Sequence, residues 1–305
     1  MSRLFPALAA LSLVITHAVG ASAPPQTDRT PQQAVEELLE ADRAFARASA
    51  ATDLVDGISA MFAADVTLTI PGGFARGKDA ARAALQANPE NAGARAEWSP
   101  IRGGISADGQ HGFTVGYMTV TRKDQSRLPI KYVAYWVRTV EGWRVAVYKR
   151  ARAAESPAAP QMMPPSLPAR LVAATTDSAA IEEFRRSLDA AERAFSAQAQ
   201  TIGLGAAFAK HGHPDAVNVG PPSQPEFVKG AEAIGKAVSG GSTSTDPGLS
   251  WAPEHVIVAS SGDLGVTTGM IQPKAGPDGK QPPAIPFITV WRRATPQNAW
   301  RYIAE

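Results

Sequence analysis

The chain contains no cysteine. That absence excludes disulfides, thiolate metal sites, a cysteine nucleophile and a lipidated N-terminal cysteine together. Charge of one sign is missing too: 30 basic and 28 acidic side chains leave a net +2, so nothing argues for a nucleic-acid partner. The densest basic run, Lys149 to Arg152, closes an expected strand and reads as a solvated strand end. No uninterrupted apolar stretch reaches the length of a membrane span; the longest, Leu4 to Val19, is broken by Pro6 and His17. The pairs Gly72-Gly73 and Gly240-Gly241 lack the setting of a nucleotide-binding loop, and no Gly-x-Ser-x-Gly elbow supports a serine hydrolase. No cofactor is implied.

What is there begins with export. Arg3, the short apolar stretch and the small residues Ala21-Ser22-Ala23 have the layout of a secretory signal over residues 1–23. Its removal would leave no membrane anchor. A cysteine-free product suits the periplasm or the exterior.

The rest of the chain says one thing twice. Ala-Asp-Arg-Ala-Phe at 41–45 returns as Ala-Glu-Arg-Ala-Phe at 191–195. Trp98-Ser-Pro returns as Trp251-Ala-Pro, Gly116 as Gly269, Trp136-Val-Arg as Trp291-Arg-Arg, and Trp143-Arg as Trp300-Arg. The separations drift from 150 to 157 positions, as small loop insertions would make them. A solenoid repeats every ~20–50 residues; a period three times longer is a whole domain. The expected organisation is a first domain over 24–150, a proline- and alanine-rich linker over 151–176, and a second domain over 177–305.

Each half reads helix, short helix, strand, helix, then four strands. In the first, Thr30-Pro31-Gln32-Gln33 opens a helix running to about Ala51. Leu54–Phe62 is a short helix, 65–70 a strand and 78–85 a helix. Strands follow near 98–106, 112–122, 130–139 and 143–148. In the second half, helices run from 178 to about 199, to about 208 and to 238. Its strands lie at 216–219 and near 250–259, 264–272, 285–293 and 299–304. Helices first and strands later give an α+β fold, with a curved and mainly antiparallel sheet wrapped on an N-terminal helix as a cone.

The helix-one motif at 41–45, Phe62-Ala-Ala-Asp-Val66, Phe74-Ala-Arg-Gly-Lys78 and the closing Trp136-Val-Arg with Gly142-Trp-Arg carry a family resemblance. Both halves resemble the nuclear-transport-factor-2-like superfamily, in particular its SnoaL-like members. The resemblance implies two tandem cone domains and leaves function open, because this fold hosts enzymes, binders and assembly domains alike. Steroid isomerases of the superfamily carry an acid just before the proline that ends the first long strand. Here Ile70 stands there, and Gly220 in the second half. Their second acid falls near Ala134. Neither carboxyl is present, so the resemblance does not extend to that chemistry.

A different acid survives in both halves. Asp42 lies among Leu38, Leu39 and Phe45 on the apolar stripe of its helix, and Glu192 among Leu188 and Phe195. A buried acid needs partners. One reading is a structural ion pair, Asp42 with Arg144 or Arg138 and Glu192 with Arg301 or Arg293. The other is a proton acceptor with a raised pKa inside the cone, with Arg144 or Tyr117 as electrophile. Trp98, Tyr117, Tyr132 and Trp136 in the first half, and Trp251 and Trp291 in the second, are candidates for lining an apolar ligand pocket. Each half is expected to hold a small cavity; the first has the richer set, so if only one half binds a ligand, it is the expected one. On strand 130–139, Tyr132, Ala134 and Trp136 share one face and Tyr135 takes the other. His211-Gly-His213-Pro-Asp215 falls in an insertion of the second half without a fourth ligand, so it reads as a solvated loop, and no metal site is expected. His111 reads as a half-buried packing residue.

Three functions fit these residues. The first is an exported binder of a small apolar organic ligand, its domains packed as an internal pseudo-dimer. The second is an enzyme, a lyase, isomerase or hydrolase using Asp42 as base. The third is a structural or protein-interaction module.

Overall fold

A computed structural model describes residues 29–305 except 156, 158, 159, 277 and 278; the expected signal over 1–23 lies outside the described residues. The first copy opens with helix α1 (Pro31–Ser49). Thr30 caps it, accepting from the Gln33 amide while the Gln33 side chain accepts from the Thr30 amide. Helix α2 (Leu54–Ala60) is capped by Asp53. Then come β1 (Phe62–Ile70), β2 (Gly73–Arg76) and α3 (Lys78–Ala87). Strands β3 (Arg95–Ile105), β4 (His111–Thr121), β5 (Arg127–Thr139) and β6 (Gly142–Arg152) complete it.

The second copy repeats the order. Helices α4 (Ser178–Ile202) and α5 (Leu204–His211) precede β7 (Gly212–Asn218), β8 (Val228–Lys229) and α6 (Ala231–Val238). Strands β9 (Leu249–Val258), β10 (Leu264–Pro273), β11 (Ile285–Arg292) and β12 (Arg301–Ala304) follow. The two six-stranded sheets have matching orders, β2-β1-β6-β5-β4-β3 and β8-β7-β12-β11-β10-β9. Among the strands named here, β1–β6 and β7–β12 pair in parallel and the other neighbours antiparallel. The α+β architecture of two tandem cones therefore stands.

The first long strand ends at Ile70 as expected, and there Gly72, at φ 79°, turns the chain so that β2 returns along β1 with Ile70 opposite Gly73. One local expectation is corrected. The basic run is a strand rather than a solvated end, because β6 stays paired with β5 through Arg152 opposite Ile130.

Strand alternation decides which side chain faces which layer. On β5, Ile130, Tyr132, Ala134 and Trp136 join Val35, Leu38 and Leu39 of α1 in the first cone's core. Val133 and Tyr135 point the other way. With Phe113, Val115 and Val147 they meet Val217, Leu264, Val266, Val290 and Ile303 of the second sheet in one buried layer. The sheets thus pack back to back, each with its long helix on the far side.

Polar contacts ring that layer reciprocally. Asp108, in the β3–β4 turn, accepts from Ser260 Oγ at 2.7 Å and from the Ser261 amide at 3.2 Å. Asp263, two residues later in the matching β9–β10 turn, accepts from the Ala107 amide at 3.0 Å. The Lys131 ammonium donates to the carbonyls of Gln224 at 2.8 Å and Glu226 at 3.1 Å. The chain between the copies also has a place: Met163 donates to Ile101 O, Ser166 to Gly103 O, and Ile105 to Ser166 O. That segment occupies the open edge of β3, which would otherwise present unpaired backbone.

Candidate functional site

Helix α4 buries Leu188, Glu192, Phe195 and Ala199 along one stripe, and three strands supply partners for the acid in their midst. Trp251 Nε1 on β9 donates to Glu192 Oε1 at 2.6 Å. Thr267 Oγ on β10 donates to Glu192 Oε2 at 2.6 Å, and Trp291 Nε1 on β11 to the same oxygen at 2.9 Å. The first copy builds the same cluster. Trp98 Nε1 donates to Asp42 Oδ1 at 2.7 Å and Tyr132 Oη to Asp42 Oδ2 at 2.9 Å, while Trp136 Nε1 donates to Thr114 Oγ at 2.9 Å. Burial pushes both carboxyls above their ordinary range, and these hydrogen bonds pull them part of the way back.

The expected arginine pairings do not form. Arg144 donates to Trp143 O and Glu141 and lies over the Phe45 ring, 5.5 Å from its centroid. Arg138 pairs with Glu37 at 3.2 Å. Arg301 bonds Lys210 O, and Arg293 bonds Gly262 O and stacks over Trp300 at 4.2 Å. The physical reason is reach and solvation. The acids sit at 0 % exposure deep under the helix, while guanidiniums at the strand ends keep their hydration or stack on rings. Neutral N–H and O–H donors on the sheet do the work instead. Tyr117 is not in the cone either: it faces the second sheet, 5.4 Å from the Phe227 ring. So Asp42, Trp98, Tyr132 and Trp136 come together, and Arg144 and Tyr117 stay apart from them.

The two cones differ in what fills them. In the first, Tyr148 packs 5.8 Å from Phe62 and 6.2 Å from Tyr132, all three buried. Matching registers (Tyr135 opposite Val147, Val290 opposite Ala304) put Glu305 where Tyr148 stands and Phe287 where Tyr132 stands. A short acid in place of a phenol ring leaves space. A cavity of about 380 Å³ opens in the second copy. Half-buried Leu204, Val238, Leu249 and Ile271 border it as an apolar mouth, while Phe195 and Trp251 continue that surface inward.

Its polar groups gather at one end. Glu305 accepts from Asn218 Nδ2 at 2.9 Å and from Thr289 Oγ at 3.3 Å. Burial, with the Glu192 charge added, pushes the Glu305 carboxyl up to about 7 against the pull of Lys149. Lys149 reaches this end from β6 of the first copy, and burial lowers its pKa. Sequence reasoning passed over Thr114 and Thr267, although their separation of 153 equals that of Trp98 and Trp251. It passed over Glu305 and read Lys149 as part of a solvated strand end, and only the packing of the two sheets brings both residues to one cavity.

The histidine segment is not a solvated loop. His211 ends α5, its Nε2 lies 2.7 Å from Gln198 Oε1, and its ring stacks 4.9 Å from Phe195, with burial lowering its pKa to about 4. His111 Nδ1 lies 3.1 Å from the Tyr135 hydroxyl, and burial lowers its pKa too. Among the described residues no cluster of three His, Cys, Asp or Glu side chains could hold a metal ion, and no helix is long and apolar enough to cross a membrane.

An α+β cone with a helix-borne acid held by sheet donors, present twice, defines the class. Residues 42–148, within the first copy, match the model of the SnoaL-like domain family. No curated protein matches the chain. Among solved structures, the chain is similar to an NTF2-like protein with a cystatin-like fold from Novosphingobium aromaticivorans. Identity is 19%, over 41% of this chain and 84% of that one, with a TM-score of 0.31. It is similar to a ketosteroid isomerase-like protein from Erwinia carotovora atroseptica at 18% identity, over 40% and 95% of the two chains, with a TM-score of 0.29. A third is an NTF2-like protein from Pseudomonas putida, 15% identical over 44% and 96%, with a TM-score of 0.33.

Proposed function

We propose that this is an exported binder of a small, mainly apolar organic molecule, and that the second domain does the binding. The observation that carries this is the cavity of about 380 Å³, apolar at its mouth and polar at one end, in a cone whose counterpart is filled by rings. Space of this size suits a small ligand. The first domain serves as the packed partner that covers the second sheet's back. Export rests on the signal-like residues 1–23. The enzyme reading with Asp42 as base finds less support, since both Asp42 oxygens already accept from Trp98 and Tyr132 at 0 % exposure.

Native mass spectrometry of the purified protein after incubation with a metabolite extract tests the reading. One bound mass per chain is expected, displaced by 1-decanol and lost from Ala237→Trp, whose indole would occupy the cavity. No bound mass with either the extract or 1-decanol would sink it. The same spectrum reads whether residues 1–23 have been removed.

A further inference from the structure

We infer that the cavity's polar end is completed across the domain boundary: Lys149, borne by the first domain, is the cationic anchor for the carboxylate of a small apolar acid held in the second. This rests on the binding reading above and adds the ligand's chemical class.

The argument starts from strand alternation. Val147 on β6 lies in the layer between the sheets and Tyr148 turns into the first cone, so Lys149 again points toward the second sheet. It borders the second domain's cavity together with Asn218, Thr289 and Glu305. A census of hydrogen-bonding capacity there singles it out. The Glu192 oxygens receive Trp251, Thr267 and Trp291. The Asn218 amide gives one of its two N–H groups and the Thr289 hydroxyl its one proton to Glu305, so neither is a charged donor held in reserve. Among the described residues, the Lys149 ammonium has no hydrogen bond and no ion pair within 4.0 Å; it feels Glu305 only through space. It therefore offers three unused N–H donors and a positive charge to whatever enters.

An ammonium taken from water needs an acceptor, and a charged acceptor compensates it best. The nearby acids do not forbid an anion. The groups facing Glu305 are Glu192 from α4, Asn218 from β7, Thr289 from β11, Lys149 from β6 and Tyr302 from β12. With its carboxyl pushed up to about 7, Glu305 can take a proton when a second negative charge arrives. A carboxylate seated on Lys149 would then face a neutral carboxylic acid, and its alkyl or aryl body would lie toward Leu204, Val238 and Ile271.

Calorimetric titration of the full chain at pH 6 with decanoate, 1-decanol and decylammonium tests this. Decanoate should bind at least tenfold more tightly than 1-decanol, and decylammonium more weakly than either. Lys149→Met should remove the tenfold preference for decanoate over 1-decanol, whereas Lys149→Arg should keep it. Equal binding of decanoate and 1-decanol by wild type would overturn the inference while leaving the binding reading intact, as would a preference that survives Lys149→Met. Failure of all three probes to bind would end the inference, and with no bound mass from the extract it would end the binding reading too.

Discussion

Replacing Glu305 by Gln should remove one large part of the pH dependence of stability. The Glu305 side chain is 7 % exposed, and its carboxyl lies at about 7 rather than at the ordinary 4.5. The folded state holds the proton more tightly than the unfolded chain does. Below pH 4.5 both states are protonated and the full contribution of the neutral acid is present. It is lost as pH rises from 4.5 through 7, and above 7 the loss is constant. At 1.36 kcal/mol per unit, the span amounts to about 3 kcal/mol. Gln removes the titration but accepts with only one oxygen, so either Asn218 or Thr289 loses its acceptor at every pH, at about 1–2 kcal/mol. The two stability curves should therefore cross. Wild type should be the more stable by about 1 kcal/mol at pH 4.5, and the variant by about 2 kcal/mol at pH 8. Differential scanning calorimetry between pH 4.5 and 8 reads this as a divergence of about 6 °C in Tm, at roughly 2 °C per kcal/mol for a chain of this size. Parallel curves across that range would refute the account of Glu305 as an acid forced out of water beside Glu192.

Two further perturbations address the cone interiors. Asp42→Asn keeps the shape but sets an amide N–H₂ against the Trp98 or Tyr132 donor, so it should cost about 2 kcal/mol in chemical denaturation. Asp42→Ala, which orphans both donors, should cost about 4 kcal/mol; an unchanged midpoint in both would show that the cluster does not tie α1 to its sheet. Tyr148→Ala should hollow the first cone at about 3–5 kcal/mol, the range for deleting a buried aromatic ring, and should confer binding of 1-decanol there. A stability loss without new binding when the second cavity is plugged by Ala237→Trp would show that emptiness alone does not make a site.

Much of this architecture could be read before any coordinates. The duplication was legible because tryptophans and the helix-one motif recur at slowly drifting separations, and the helix ends because Thr30 and Asp53 are the oxygen-bearing side chains that caps require. The acids Asp42 and Glu192 were legible from helical spacing among leucines and phenylalanines. Their partners were not, because donors on three strands meet only once the sheet curls over the helix. Identical patterning also concealed which cone is hollow. Tyr148 and Glu305 both follow alternating strands, and only the register shows them as occupants of one position. Lys149 was the hardest to see, since its role depends on a sheet formed by residues more than sixty positions away.

The exchange between the two hairpin turns bears on how such a chain can change. Asp108 completes the 260–261 turn and Asp263 completes the 106–107 turn, so each half finishes wiring that belongs to the other. Neither half could be deleted, or traded for an unrelated module, without stranding polar groups and baring a hydrophobic back on the survivor. The two halves thus form one indivisible body, in which the second depends on the first's surface rather than on its interior.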